Sequence, residues 1–144
     1  AGQATNGRSV LFLITTFIDG LIGAYFARKH LMDEAKWTCV AQTSITLMSK
    51  WAKSCTWNFA NKLSLLQAEY FFLKNDERAY ACYEASISQA REHRFNHEEG
   101  LAHEKFANYL LFINKHDEAL QHFKDAKMCY SVWHAHVLVQ RVEK

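Results

Sequence analysis

The chain has no proline and only five glycines in 144 residues. A β-rich fold with many tight turns depends on both residue types for its backbone angles, so their scarcity favours long helices joined by short polar connections. Cys39, Cys55, Cys82 and Cys129 are widely spaced and form no Cys-x-x-Cys pair. That spacing indicates neither a disulfide framework nor a cysteine-built zinc site. Buried free thiols in an intracellular, reducing compartment are the expectation, with the cytoplasm favoured over an organelle. An excess of one charge is also missing, because 17 basic residues are offset by 15 acidic ones spread along the chain. No nucleic-acid face is expected. A Gly-x4-Gly-Lys-Ser/Thr run, whose backbone N–H groups would cradle phosphates, does not occur, and no local signature orders Ser, His and Asp into a nucleophilic relay. The sequence therefore predicts no enzyme, no cofactor and no small-molecule substrate.

What is present is helical periodicity. In Asn96 to Trp133 the apolar residues Leu101, Ala102, Phe106, Ala107, Tyr109, Leu110 and Ile113 follow the three-then-four rhythm of one helix face. After the polar turn Asn114-Lys115-His116-Asp117, the period resumes at Ala119, Leu120, Phe123, Ala126 and Tyr130. Asn96 is predicted to cap the first helix, with Glu99 three residues on completing a capping-box pair. Small Ala119 and Ala126 would let a neighbouring backbone approach closely. The stretch reads as an antiparallel helical hairpin.

The hairpin repeats. A shift of forty residues sets Leu66, Tyr70, Ala79, Tyr83 and Ser86 on Phe106, Leu110, Ala119, Phe123 and Ala126, and a further shift of forty-four sets Asp33-Glu34-Ala35 on Asp117-Glu118-Ala119. Periods of this size signal solenoids. The predicted fold is all-α, with about three helix-turn-helix units at roughly 9–54, 57–94 and 96–133 in one domain spanning 9–144. Residues 134–144 read as the start of a further helix whose partner is missing. A solenoid edge needs a cap, so either a neighbouring protein covers it or the natural polypeptide continues. Residues 1–8 read as a linker or frayed end, and the lack of a starting methionine is what a processed or excised piece would show.

Val10 to Ala27 is an eighteen-residue apolar stretch that could be mistaken for a membrane span. Asp19 in mid-segment, Gly20 and Gly23, and the alignment with later first helices argue instead for a helix buried from both sides. Trp37 and Trp51 on the partner helix read as interhelical packing. Eight histidines invite a metal hypothesis, with His93, His97 and His103 near Glu98, Glu99 and Glu104. The helical metalloprotease spacing fails, because Leu101 stands where the second histidine is needed. That region reads as a solvated polar junction, and His134 and His136 would point to different sides of a helix. No metal site is expected.

Two aromatics before a polar turn, followed by Asp-Glu-x-Ala or Asp-Glu-Ala and an aromatic four residues on, resemble the tetratricopeptide repeat. FIDGLIGAYFARKHLMDEAKW, AEYFFLKNDERAYACYEASISQAREHRFNHEEGLAHEKFANYLL and KMCYSVWHAHVLVQRVE are similar to the helical region of very large multidomain signalling ATPases of algae and other protists. There that region follows a nucleotide-binding ATPase module and often precedes a cyclase or histidine-kinase domain. The units here are longer than the usual repeat and lack its helix-ending proline, and Gln67 stands where a small residue is usual.

The resemblance implies that the first helix of each pair lines a concave surface, which places Phe17, Ala24, Asn61, Phe71, Glu104, Asn108 and Leu111 in a partner-binding groove. Those residues are small, apolar or amide-bearing, with Glu104 the only charge, so an apolar or amphipathic protein segment is the expected ligand. The expected function is a non-catalytic scaffolding module within a larger signalling protein or assembly. The alternative is a structural accessory subunit of a large complex, with membrane contact only through that complex.

Overall fold

The computed structural model describes residues 6–30 and 33–132, with backbone alone for 6–10. Six α-helices and no strand occur among the described residues: α1 (Asn6–Lys29), α2 (Glu34–Ser54), α3 (Thr56–Leu73), α4 (Arg78–Glu92), α5 (Asn96–Phe112) and α6 (His116–Val132). The connections are short, from Cys55 alone between α2 and α3 to residues 74–77 between α3 and α4, so consecutive helices fold back on one another. α1 begins at Asn6, inside the segment read as a linker. Residues 1–5 and the expected partial helix at 134–144 lie outside the described residues.

Three helix ends share one device. Asn75, Arg94 and Asn114 take positive φ, 56°, 60° and 65°. The next residue in each case, Asp76, Phe95 or Lys115, sends its N–H back to Phe71, Ala90 or Leu110 at 2.8–2.9 Å. This 6→1 bond closes a Schellman motif, which satisfies orphan carbonyls at the helix end. The polar turns are thus made by asparagine and arginine in a conformation where glycine is the usual choice.

Helix starts are less uniform. Asp33 caps α2, its carboxylate accepting from Lys36 N at 3.1 Å. The capping box expected at Asn96 is not formed. Phe95 holds the N-cap position without a side-chain cap bond, and Asn96 is the first helical residue. The Schellman turn of α4 runs straight into α5, and the Glu99 carboxylate turns inward to Arg91 and His103.

Within each pair, α1 packs on α2, α3 on α4 and α5 on α6. Between pairs, α2 meets α3 and α4 meets α5, while α1 and α3, and α3 and α5, touch as next-but-one neighbours. The first helices of the three pairs therefore form one layer, and α6 is held mainly by α5. Aromatic rings fill the centre: Tyr83 stacks on Phe106 at 5.3 Å, and Phe72 meets Tyr109 edge-on at 5.1 Å. Trp51 packs between Phe12 and Phe59, and Trp37 against Phe26. Ala79, Ala119 and Ala126 are fully buried where helices approach closely. On α1, a Cβ at Gly20 would lie 2.7 Å from Leu66 Cδ2 and one at Gly23 would lie 2.9 Å from Trp37 O, so both glycines mark close helix crossings.

The forty-residue offset holds on part of the surface. Leu66 and Phe106, Ala79 and Ala119, and Ser86 and Ala126 are buried as pairs, but half-buried Tyr70 falls on buried Leu110. Connections of four residues at 74–77 and three at 113–115 separate the registers of the two hairpins. α1 also departs from expectation. It is covered on one side only, because α2 and α3 both pack on the same flank.

Candidate functional site

Three features could carry function. The first is the bare flank of α1, where Leu11, Ile14, Ile18, Ile22 and Tyr25 recur at intervals of three and four residues and are 39–65% exposed. By length and composition, Leu11–Lys29 is the one candidate membrane span among the described residues. Core helices pass the same test, so this alone does not place it in lipid.

The second is a cleft of about 440 Å³ lined by Tyr25, Arg28, Lys29, Phe72, Lys105, Asn108, Leu111 and Phe112. Arg28 and Lys29 come from the last turn of α1, where cations complement the helix dipole, and Lys105 comes from α5. Arg28 lies 4.0 Å above the Phe72 ring and 3.3 Å from Glu69.

Of the seven residues assigned to a groove, Asn108 and Leu111 meet in this cleft. Phe17, Ala24 and Asn61 are buried between helices. The Asn61 side-chain amide donates to Glu98 at 3.2 Å, and the Asn61 backbone carbonyl accepts from the Ser86 hydroxyl at 2.9 Å. Phe71 lies half-buried beneath Arg78, with the guanidinium 4.5 Å from its ring, and Glu104 accepts from the Tyr130 hydroxyl at 2.8 Å. The open surface is also more basic than the expected neutral groove, because it uses the ends of α1 rather than its middle.

The third is a seam of buried polar groups. Glu69, Glu98 and Glu99 are all buried, and each is paired, as buried carboxylates must be. Glu69 on α3 is held by Arg28 of α1 and by the Tyr83 hydroxyl of α4. Glu98 pairs with Lys62 and Asn61. Glu99 accepts from Arg91 Nε at 3.0 Å and lies 3.3 Å from His103 Nε2. The segment expected to be a solvated junction is divided: Arg94, Asn96 and His97 are exposed, whereas Glu98, Glu99 and His103 are interior.

His103 continues the seam into α6. Its Nδ1 lies 2.9 Å from His122 Nδ1, with Arg91 Nη2 3.5 Å from the other ring nitrogen. Ligand-type atoms of His103, His122 and Asp125 lie within 4.8 Å of one another, as do those of Glu99, His103 and Cys129. Burial pushes both histidines below the ordinary value of 6.5, with His103 adding to the effect at His122. Both rings are accordingly neutral near pH 7. Burial, reinforced by Glu99, pushes the Cys129 thiol up to about 12, which leaves it protonated and a poor nucleophile.

Histidine spacing along a single helix does not bring His122, Asp125 and Cys129 together with His103, because they stand on a different helix. Their signal is spacing of three and seven residues on α6, facing Glu99 and His103 four apart on α5. All four cysteines are free, but the expected burial is not found: Cys39 is exposed, and Cys55, Cys82 and Cys129 are half-buried. Compared with protein families, curated proteins and solved structures, the chain finds no match.

Proposed function

We propose that the protein is a non-catalytic helical-repeat module, a tetratricopeptide-like solenoid that holds other protein surfaces within a larger signalling protein or assembly. The stacking of α1, α3 and α5 in one layer supports the solenoid reading, as does the repeated Schellman closure. The observation that carries the binding role is the α1 stripe of Leu11, Ile14, Ile18, Ile22 and Tyr25, a continuous apolar helix face left in water. Faces of this kind mark interaction surfaces. Its ligand is an amphipathic helix, because the opposite flank of α1 already accepts α2 and α3 in the same helix-on-helix manner. Four free cysteines fit a reducing compartment.

The test is affinity isolation of the native protein in mild detergent, with mass determination of every chain retained, beside the variant Ile14→Glu/Ile18→Glu. Loss of a stoichiometric protein partner from the variant supports the reading. Retention of that partner by the stripe variant, together with its loss from the cleft variant Leu111→Glu, would sink it.

A second reading, a structural subunit of a membrane-associated complex, is favoured by the span-like length and composition of Leu11–Lys29. Solubility that depends on detergent in the wild type and not in Ile14→Glu/Ile18→Glu would select it.

A further inference from the structure

We propose that His103, His122 and Asp125 form a binding site for a divalent transition-metal ion of the zinc class, clamped between α5 and α6. Zinc takes imidazole nitrogen and carboxylate oxygen together in one shell, and two histidines with one carboxylate make a three-residue set that leaves a position for water. His122 and Asp125 stand three apart on α6 and so share a face, and His103 meets that face from α5.

The geometry of His103 decides which of its nitrogens binds. Nε2 faces both Glu99 at 3.3 Å and Arg91 Nη2 at 3.5 Å, and the nearer group, a carboxylate, draws the ring proton to that side. Nδ1 then carries the lone pair, and it points at His122 Nδ1, 2.9 Å away. A carboxylate that orients a histidine through its far nitrogen is the usual outer support of a metal-bound imidazole.

Two nitrogens on one tetrahedral zinc at ordinary bond lengths stand roughly 3.3 Å apart, so seating the ion needs the rings to part by only a few tenths of an ångström. Half-buried His122 has room to make that shift. The other cluster, Glu99, His103 and Cys129, is the weaker host. Its carboxylate already holds Arg91 at 3.0 Å, and the same guanidinium stands 3.5 Å from His103 Nε2. A second cation placed there would be repelled.

The test is zinc binding to the full chain by calorimetry and equilibrium dialysis, with cobalt(II) as a spectroscopic stand-in. The expected result is one ion per chain and a melting temperature that rises with added zinc. Affinity should fall roughly tenfold or more in His122→Ala and in Asp125→Ala. Both substitutions remove half-buried side chains, and far-UV circular dichroism confirms that the variants remain helical. His134→Ala/His136→Ala should bind like the wild type, and the cobalt spectrum should show tetrahedral bands without thiolate charge transfer.

No binding by the wild type overturns the proposal. So does undiminished binding by His122→Ala, or loss of binding in His134→Ala/His136→Ala. A sulfur charge-transfer band that disappears in Cys129→Ser would place the ion with Glu99, and would overturn it equally.

Discussion

Glu69 ties three helices of the fold together. It is 1% exposed on α3, yet it carries Arg28 of α1 on one oxygen and the Tyr83 hydroxyl of α4 on the other. Glu69→Ala would strand two groups at once. The fully buried Tyr83 hydroxyl would lose its hydrogen bond to Glu69, and the Arg28 guanidinium would lose its counter-ion. Breaking one side of a buried ion pair costs about 3–5 kcal/mol. Arg28 retains some exposure and its stacking on Phe72, so the lower end, about 3 kcal/mol, is the expected loss here.

For a domain of this size that loss lowers the melting temperature by roughly 10 °C, and it takes a large share of the roughly 5–15 kcal/mol by which domains are stable. Tyr83→Phe leaves a buried acceptor without its donor and should cost about 1–3 kcal/mol. Glu69→Gln, which keeps an acceptor for Tyr83, should cost less than Glu69→Ala. Urea unfolding of the three variants and of the double variant Glu69→Ala/Tyr83→Phe gives each value and their coupling. Unchanged slopes would show that folded and unfolded compactness are unaltered. A loss below about 1 kcal/mol for Glu69→Ala would refute the reasoning, because it would mean that water or a rearranged Arg28 satisfies the site.

Two further predictions concern the α5–α6 seam. Gly100→Ala would place a Cβ 2.6 Å from Tyr130 Cε1 and 2.8 Å from Cδ1, and Tyr130 is a fully buried ring. Overpacking should cost about 1–3 kcal/mol in urea unfolding, and a neutral result would mean that the helices can slide apart there. The second is acid sensitivity in the presence of a chelator. His103 and His122 are held below 6.5 in the folded chain, so as pH falls below that value the unfolded chain takes up protons that the folded chain refuses. Their contribution is intact above 6.5 and shrinks as pH drops toward the folded values. Arg91 and His103 itself oppose protonation at this cluster, and Glu99, Asp125, Glu118 and Glu84 soften the effect. Unfolding free energies measured at about pH 7.5 and 5.5 should therefore differ, and His122→Gln should shrink the difference. An identical drop in that variant would refute this assignment.

The helices themselves were written in local signals. The missing proline, the apolar period and Asp33 ahead of α2 are read within a few residues, and the described residues are all-helical with adjacent helices packed on one another. The rotation of each helix about its own axis was harder to read. One residue turns a helix face by about a quarter-circle. Phe17 and Ala24, assigned to a groove, therefore sit in the interior, while Ile18 and Tyr25 beside them are exposed. Asn96 failed as a cap because the preceding turn, closed by Phe95 N to Ala90 O, had already set where α5 begins. The pairing of His103 with His122 depends on which faces of two helices meet, and that contact is fixed at Gly100 and Tyr130. No spacing rule along one helix contains it.

Because each helix rests on its sequence neighbour and, in the first layer, on the next but one, almost every stabilising contact joins residues a few dozen positions apart. Chains with short-range contacts fold fast, since little loop entropy must be lost before a contact forms. On a ribosome, α1 and α2 could close before α3 is made, and each later hairpin would find its docking face already built. α6 rests mainly on α5, whereas α3 and α5 each hold several neighbours, so among the described helices the free energy of local opening should be lower for α6 than for α3 or α5.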